Sequence, residues 1–180
     1  MTGREDLLVE LVDEVGTAIG ACSVAQAHAA PGRRHRAFSV LLYDQSGRLL
    51  VQRRAAAKTR FADRWSNTCC GHQAPGQGTT TAAAQRLAAE LRLAPEHTTE
   101  LTEVGVLSYE VRDPASGRVE REWDHVLIAS LTGGDAVPDE AEVSEVAWVW
   151  VDSLRAELAA SPDRYTPWFA AVLNIAASVA

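Results

Sequence analysis

The run Trp65–Gln77, WSNTCCGHQAPGQ, places two of the chain's three cysteines side by side, immediately before Gly71 and His72. Such a run suits a buried packing pair, a metal site, a redox switch or a catalytic thiol, and the residue types alone leave all four open. Two more histidines, His28 and His35, precede it, and the segment GRVEREWDHV supplies Glu120 and Glu122. On a strand, residues two apart point to one face, so these carboxylates can aim at one point. Like charges that close are costly unless a cation or proton lies between them. His28, His35, His72, Glu120 and Glu122 therefore form a candidate mixed nitrogen–oxygen site for Mn, Mg, Zn or Fe. Spacing alone is weak support, because the same intervals arise by chance among solvated surface residues.

A second group is basic. Arg53, Arg54, Lys58, Arg60 and Arg64 crowd one short stretch that contains a single acid, Asp63. A local positive patch on an acidic chain suits a small anion, although a solvated loop has the same composition. Arg86 and Glu90 stand four apart in a helical segment and so share a face. They make either a surface ion pair or a phosphate grip (Arg86) beside a carboxylate that holds a divalent cation (Glu90).

These residues need a scaffold to bring them together. Leu7 to Val12 reads as a first strand, with Glu10 and Asp13 near its end, and Val15 to Ala30 is ambiguous between helix and irregular chain. Ala37 to Asp44 is an apolar strand, QSG a turn, and Arg48 to Arg54 its hairpin partner. Residues 55–78 form a long connection of the kind that carries function in compact domains. Thr79 and Thr80 offer N-caps to an Ala/Leu-rich helix. Strands are expected at Leu101 to Val111 and Arg118 to Ser130 about the turn DPASG, and at Val143 to Val151. Helices are expected at Ser153 to Ala160 and Pro167 to Val179. Hairpins, a central helix and terminal helices make an α+β sandwich.

The chain has 180 residues, enough for one domain with a true core. A net charge of −7 argues against a nucleic-acid partner. The chain has no apolar run long enough to span a bilayer, and its first residues, MTGREDLLVELVDE, lack the order of a secretory signal. Two of the three cysteines are adjacent, which makes a poor disulfide framework, so a reduced cytoplasmic protein without membrane contact is expected.

The loop and helix can be laid against the Nudix box. Counted from Gly71, the box's first Glu falls on Gln77, its Arg on Gln85 and its next Glu on Arg86. The paired Glu positions fall on Ala89 and Glu90, and the Gly on Arg92. The layout is Nudix-like but the hydrolytic carboxylate cluster is largely gone, which points away from a diphosphate hydrolase. The chain instead resembles the type I isopentenyl-diphosphate isomerases. The resemblance rests on RRHRAFSVLLYDQSGRLLVQRR, WSNTCCGH, SYEVRDPASGRVEREW and TPW, all in order and spacing, and covers nearly the whole chain after about residue 25.

The resemblance implies a single Nudix-like α/β/α sandwich with a mixed sheet over residues 1–180, whose first 30 residues close over the site. It implies a cytoplasmic, monomeric enzyme that shifts the double bond of isopentenyl diphosphate to give dimethylallyl diphosphate. The family's catalytic cysteine falls on Cys70, leaving Cys69 to packing, and its acid–base partners fall on Glu122 and Tyr109. The metal site maps onto His28, His35, His72, Glu120 and Glu122, with Mn2+, Mg2+ or Zn2+ as the ion. Glu90 and the Cys70 carbonyl would hold a second ion, Mg2+, on the diphosphate, which would lie against Arg54, Lys58 and Arg86. Trp168 would set an aromatic face near the carbocation, while His97 and His125 have no role beyond packing or surface.

Three positions depart from the family. Val24 stands about where a lysine for the diphosphate is expected, Gln73 replaces a proline after Gly-His, and Arg92 replaces a helix-ending glycine. A weaker diphosphate grip, or a longer prenyl substrate undergoing proton-initiated cyclisation, would each fit the change at Val24.

Overall fold

A computed structural model describes residues 3–178. Nine strands join into one mixed sheet: β1 (Leu8–Val12), β2 (Ala18–Ser23), β3 (His35–Tyr43), β4 (Leu49–Arg54), β5 (Trp65–Ser66), β6 (Cys69–Gly71), β7 (Thr102–Arg112), β8 (Val119–Ser130) and β9 (Val143–Val149). Four helices accompany them: α1 (Val24–His28), α2 (Thr79–Leu91), α3 (Val151–Ala160) and α4 (Phe169–Ala177). Among the described residues no helix is long and apolar enough to cross a membrane.

β3 is the spine. One edge runs parallel to β8 from His35↔Glu122 to Tyr43↔Ser130. The other edge is shared in turn by β1 at His35, β6 at residues 38–40 and β4 at Tyr43. Alternation along β3 then sorts the core into two layers. Phe38, Val40 and Leu42 pack with Cys69 and Leu127 beneath Ala83, Leu87 and Leu91 of α2. Leu41 packs with Leu49, Val126 and Trp168 against Phe169, Val172 and Leu173 of α4. The sheet is thus covered on both faces, as expected of an α/β/α sandwich. Each fully buried leucine here contributes roughly 1.5–3 kcal/mol.

Several local expectations change. Residues 18–23 form a strand although AIGACS is a poor strand sequence, because β1 supplies a paired edge from Leu8↔Ser23 to Val12↔Ala18. The hairpin expected across residues 37–54 is joined only at Tyr43↔Leu49, since β6 takes the edge of β3 and β9 and β5 take those of β4. Gly78, not Thr79 or Thr80, is the N-cap of α2, and the two threonines begin the helix proper. Helix α2 ends where Arg92 turns left-handed, with φ 54°, and its N–H bonds to the Ala88 and Leu87 carbonyls. β9 stops at Val149, and Val151 opens α3. The last helix begins at Phe169, and residue 179 of its expected span lies outside the described residues.

Candidate active site

The strand register assembles the site. β7 and β8 pair Tyr109 with Glu122, and β8 and β3 pair Glu122 with His35, so the three lie on one rung across the sheet. Ser39 lies opposite Cys70 on β6. Because faces alternate, Cys69 is sealed in the layer under α2, whereas Cys70 joins the opposite layer and lines a cavity of about 540 Å³. Gly71 is required between Cys70 and His72, since a Cβ there would lie 2.7 Å from the Phe38 ring.

His28 arrives on α1, whose Ser23 hydroxyl accepts from Gln26 backbone N–H (3.2 Å) while Ser23 N–H donates to the Gln26 side-chain Oε1 (3.1 Å). The imidazoles of His28, His35 and His72 cluster with ring centroids 4.6–5.0 Å apart. Their donor atoms and those of Glu120 and Glu122 all lie within 4.8 Å of one another. His28 Nδ1 lies 2.8 Å from the Val24 carbonyl and His35 Nδ1 lies 2.7 Å from that of Arg33. A carbonyl can only accept, so both rings carry their proton on Nδ1 and turn Nε2 inward.

Inside the cluster, His28 Nε2 is 2.7 Å from Glu120 Oε2, and His72 Nε2 is 2.9 Å from Glu122 Oε1. His35 Nε2 is buried with no hydrogen-bond partner, 3.5 Å from Glu122 Oε1. Imidazole lone pairs that face carboxylates at such range need a proton or a cation between them. The groups respond accordingly. Burial disfavours a charged His28, but Glu120 and Glu122 outweigh it and raise its pKa to about 9. Burial depresses His72 to about 4 despite its bond to Glu122. Burial would raise Glu122, yet the facing imidazoles of His28, His35 and His72 hold it well below the usual carboxylate range. An orphaned inward nitrogen beside two carboxylates fits a divalent ion.

Tyr109 donates to Glu122 Oε2 at 2.5 Å, and burial with the Glu122 charge pushes the phenol pKa well up. Behind the thiol, Cys70 donates to Asn67 Oδ1 at 3.2 Å and sits 3.7 Å from Ser39 Oγ. Ser39 donates in turn to Asp124 Oδ2 at 2.8 Å. Burial, then the Asp124 charge, raises the Cys70 pKa to about 12, so the thiol holds its proton at neutral pH. Asp124 is itself pushed well up by burial and by Glu122.

The basic groups converge on the same cavity, which Arg54, Lys58, Arg86, Tyr109 and Trp168 all line. Arg86 and Glu90 are no surface pair: Glu90 is buried and also takes Lys58 at 3.2 Å. Arg86 Nε donates to the Cys70 carbonyl at 3.3 Å. Arg54 is held by the Arg60 and Phe61 carbonyls, with its guanidinium 5.9 Å from the centre of the Trp168 ring. Trp168 stacks on Tyr109 at 5.8 Å and meets Phe61 edge-on, so it both packs and faces the cavity. His97 and His125 lie away from it, His125 between Arg36 and Glu103.

The sequence reading missed Arg4, Glu142, Ser39, Asn67 and Asp124. Asp124 had a visible signal, since it continues the two-residue alternation of Glu120 and Glu122. Asn67 sits within the WSNTCCGH run itself. Arg4 and Glu142 had none, being remote in sequence from the charges they pair with.

The NUDIX domain family model matches residues 33–169. The chain is 59% identical over 168 residues to the isopentenyl-diphosphate Delta-isomerase of Nocardia farcinica, covering 93% of each. It belongs to the isopentenyl-diphosphate Delta-isomerases of the Nudix superfamily. The Streptomyces griseus isomerase is 46% identical, with 96% of this chain and 84% of that one covered. Among solved structures, one from Deinococcus radiodurans superposes with a TM-score of 0.74 at 16% identity, covering 93% of this chain and 97% of its own. A Nudix hydrolase from M. smegmatis follows at 0.58 and 22%, covering 97% and 94%. At those identities the likeness is one of fold.

Proposed function

We infer that this cavity isomerises isopentenyl diphosphate to dimethylallyl diphosphate, with Cys70 and the Tyr109–Glu122 pair as its acid–base groups. The observation that carries the reading is a single cavity that gathers a protonated thiol, a tyrosine–carboxylate pair and a set of basic side chains. A proton added to the terminal CH2 of the alkene leaves a tertiary cation at the adjacent carbon. Loss of a proton from the CH2 on the diphosphate side then forms the new double bond, so protons balance over the turnover. Cys70 and Tyr109–Glu122 are the groups that give and take these protons. The Trp168 face stabilises the cation by roughly 2 kcal/mol when water is excluded. Arg54, Lys58 and Arg86 bind the diphosphate and orient the alkene.

His28, His35, His72, Glu120 and Glu122 would hold a divalent ion, with Mn2+, Mg2+ or Zn2+ matching the donor set. When bound, that ion fixes Glu122 and sets its proton affinity. Glu90 and the Cys70 carbonyl, both now engaged by Arg86, would hold a Mg2+ accompanying the diphosphate.

The test is conversion of isopentenyl diphosphate by the purified protein with Mg2+ and Mn2+, beside Cys70→Ala and Cys69→Ala. Wild type and Cys69→Ala should form the acid-labile allylic product, and Cys70→Ala should not. Prolonged chelation should abolish turnover until Mn2+ or Zn2+ is returned. A folded, metal-loaded wild type that converts nothing would sink the reading.

A further inference from the structure

The cation expected near position 24 is absent, and Val24 lines the cavity in its stead. Another segment passes beside that point. Val24 N–H donates to the Leu7 carbonyl at 2.8 Å, so the chain just before β1 crosses the start of α1. One turn earlier, in the short 3-10 turn Arg4–Asp6, Arg4 enters the lining of the same cavity. Its Nη1 lies 2.5 Å from Glu142 Oε1 and 4.0 Å from Glu90 Oε1. Glu142 also takes Lys58 and Arg86, the latter at 3.1 Å. Arg4, Lys58 and Arg86 thus converge on a single carboxylate at the place where basic side chains meet. The convergence marks where an anion with more oxygens would bind, since Arg4, Lys58 and Arg86 exceed the charge of Glu90 and Glu142, and among the described residues Arg54 hydrogen-bonds only to carbonyls.

The turn that carries Arg4 is fixed in place. Glu5 Oε1 accepts from Arg60 and from the Thr59 hydroxyl, each at 3.0 Å, and Glu5 Oε2 lies 3.6 Å from Arg118. This latch holds the turn against the loop that supplies Lys58, while the Arg4 side chain, paired with Glu142, stays 47% exposed.

We propose that Arg4 is a diphosphate-binding residue, delivering from the N-terminal turn the cation that position 24 does not carry. This rests on the isomerase reading for its substrate, but the anion grip can be measured without turnover. An Arg–carboxylate pair at the rim that served folding alone would be nearly neutral on removal. A phosphate ligand would instead show in affinity.

The experiment compares wild type, Arg4→Gln and Arg4→Lys in the presence of Mg2+. Titration calorimetry gives Kd for inorganic diphosphate, isomerisation gives KM and kcat, and thermal melting controls for folding. For Arg4→Gln the expected result is Kd and KM about tenfold higher, equivalent to about 1.4 kcal/mol. Its kcat should stay within about twofold and its melting temperature should be unchanged, and Arg4→Lys should recover most of the affinity. Unchanged Kd and KM in Arg4→Gln would overturn the proposal while leaving the isomerase standing. A wild type that binds diphosphate with this Arg4 dependence but isomerises nothing would instead overturn the isomerase alone.

Discussion

Gly71 offers a test of how tightly the sheet governs the chemistry. In Gly71→Ala the new Cβ would lie 2.7 Å from Phe38 Cζ and 3.3 Å and 3.4 Å from the ring's Cε atoms, where ordinary contact begins at 3.4 Å. Something must therefore yield by roughly 0.7 Å, the difference between that contact and the new one. Phe38 is 1% exposed and wedged among the residues under α2, so the ring cannot simply swing away. Overpacking of this kind costs about 1–3 kcal/mol. For a chain of this length that is a fall in melting temperature of roughly 2–12 °C. If β6 takes up part of the shift, Cys70 moves from Ser39 and His72 from Glu122. A 1 Å misplacement at reacting groups costs about 100-fold, so kcat should fall about 10- to 100-fold. Phe38→Leu removes the ring atoms that clash. In the double variant most of the melting temperature and of kcat should return, a strong favourable coupling in a double-mutant cycle. Calorimetry and steady-state conversion of isopentenyl diphosphate read both. Strictly additive losses in the double variant, or an unperturbed Gly71→Ala enzyme, would refute the reasoning.

Two further perturbations test the scaffold. Arg92 is exposed and left-handed at the end of α2, so Arg92→Gly should stabilise the protein by about 1 kcal/mol and raise its melting temperature by about 2–4 °C in calorimetry. Glu5 has its pKa lowered from 4.5, because Arg60 and Arg118 outweigh the opposing effect of burial. Its latch therefore contributes fully above the unfolded value and is lost as pH falls below about 4.5 through the lower folded value. Amide exchange over residues 3–8 should accelerate in that window, whereas Glu5→Gln should exchange fast at every pH and show no such transition.

How much was visible beforehand depended on the range of the interaction. Helix α2 was readable because alanine and leucine propensities are local, yet its cap was not, since Gly78 rather than a threonine turns the chain. The candidate ligand set was readable as residue types, and the family resemblance implied the same histidines and carboxylates. That they meet depends on the β3–β8 parallel pairing, a contact between segments nearly ninety residues apart that no local pattern encodes. Strand β2 was hidden although its partner is near in sequence, because its weak sequence is strand-like only beside β1. Arg4 and Glu142 lay beyond reach altogether. Each is an ordinary surface charge until the fold sets them 2.5 Å apart beside Lys58 and Arg86.

The two-residue period of the strands ties these observations together. Slipping β8 by one residue along β3 would turn Glu120 and Glu122 from the cavity and Asp124 from Ser39, and bring Arg121 and Trp123 to that face. The same slip would move Val126 from the layer against α4 and Leu127 from the layer under α2, exposing each to the wrong neighbours. The apolar residues on β3 and β8 thus hold the register on which the carboxylates depend. On β6 the logic compresses into adjacent residues: Cys69 anchors one layer, and Cys70, facing the other way, is held in the cavity by its neighbour's burial. The doubled cysteine is therefore one packing residue and one cavity residue, and the fold needs the first to aim the second.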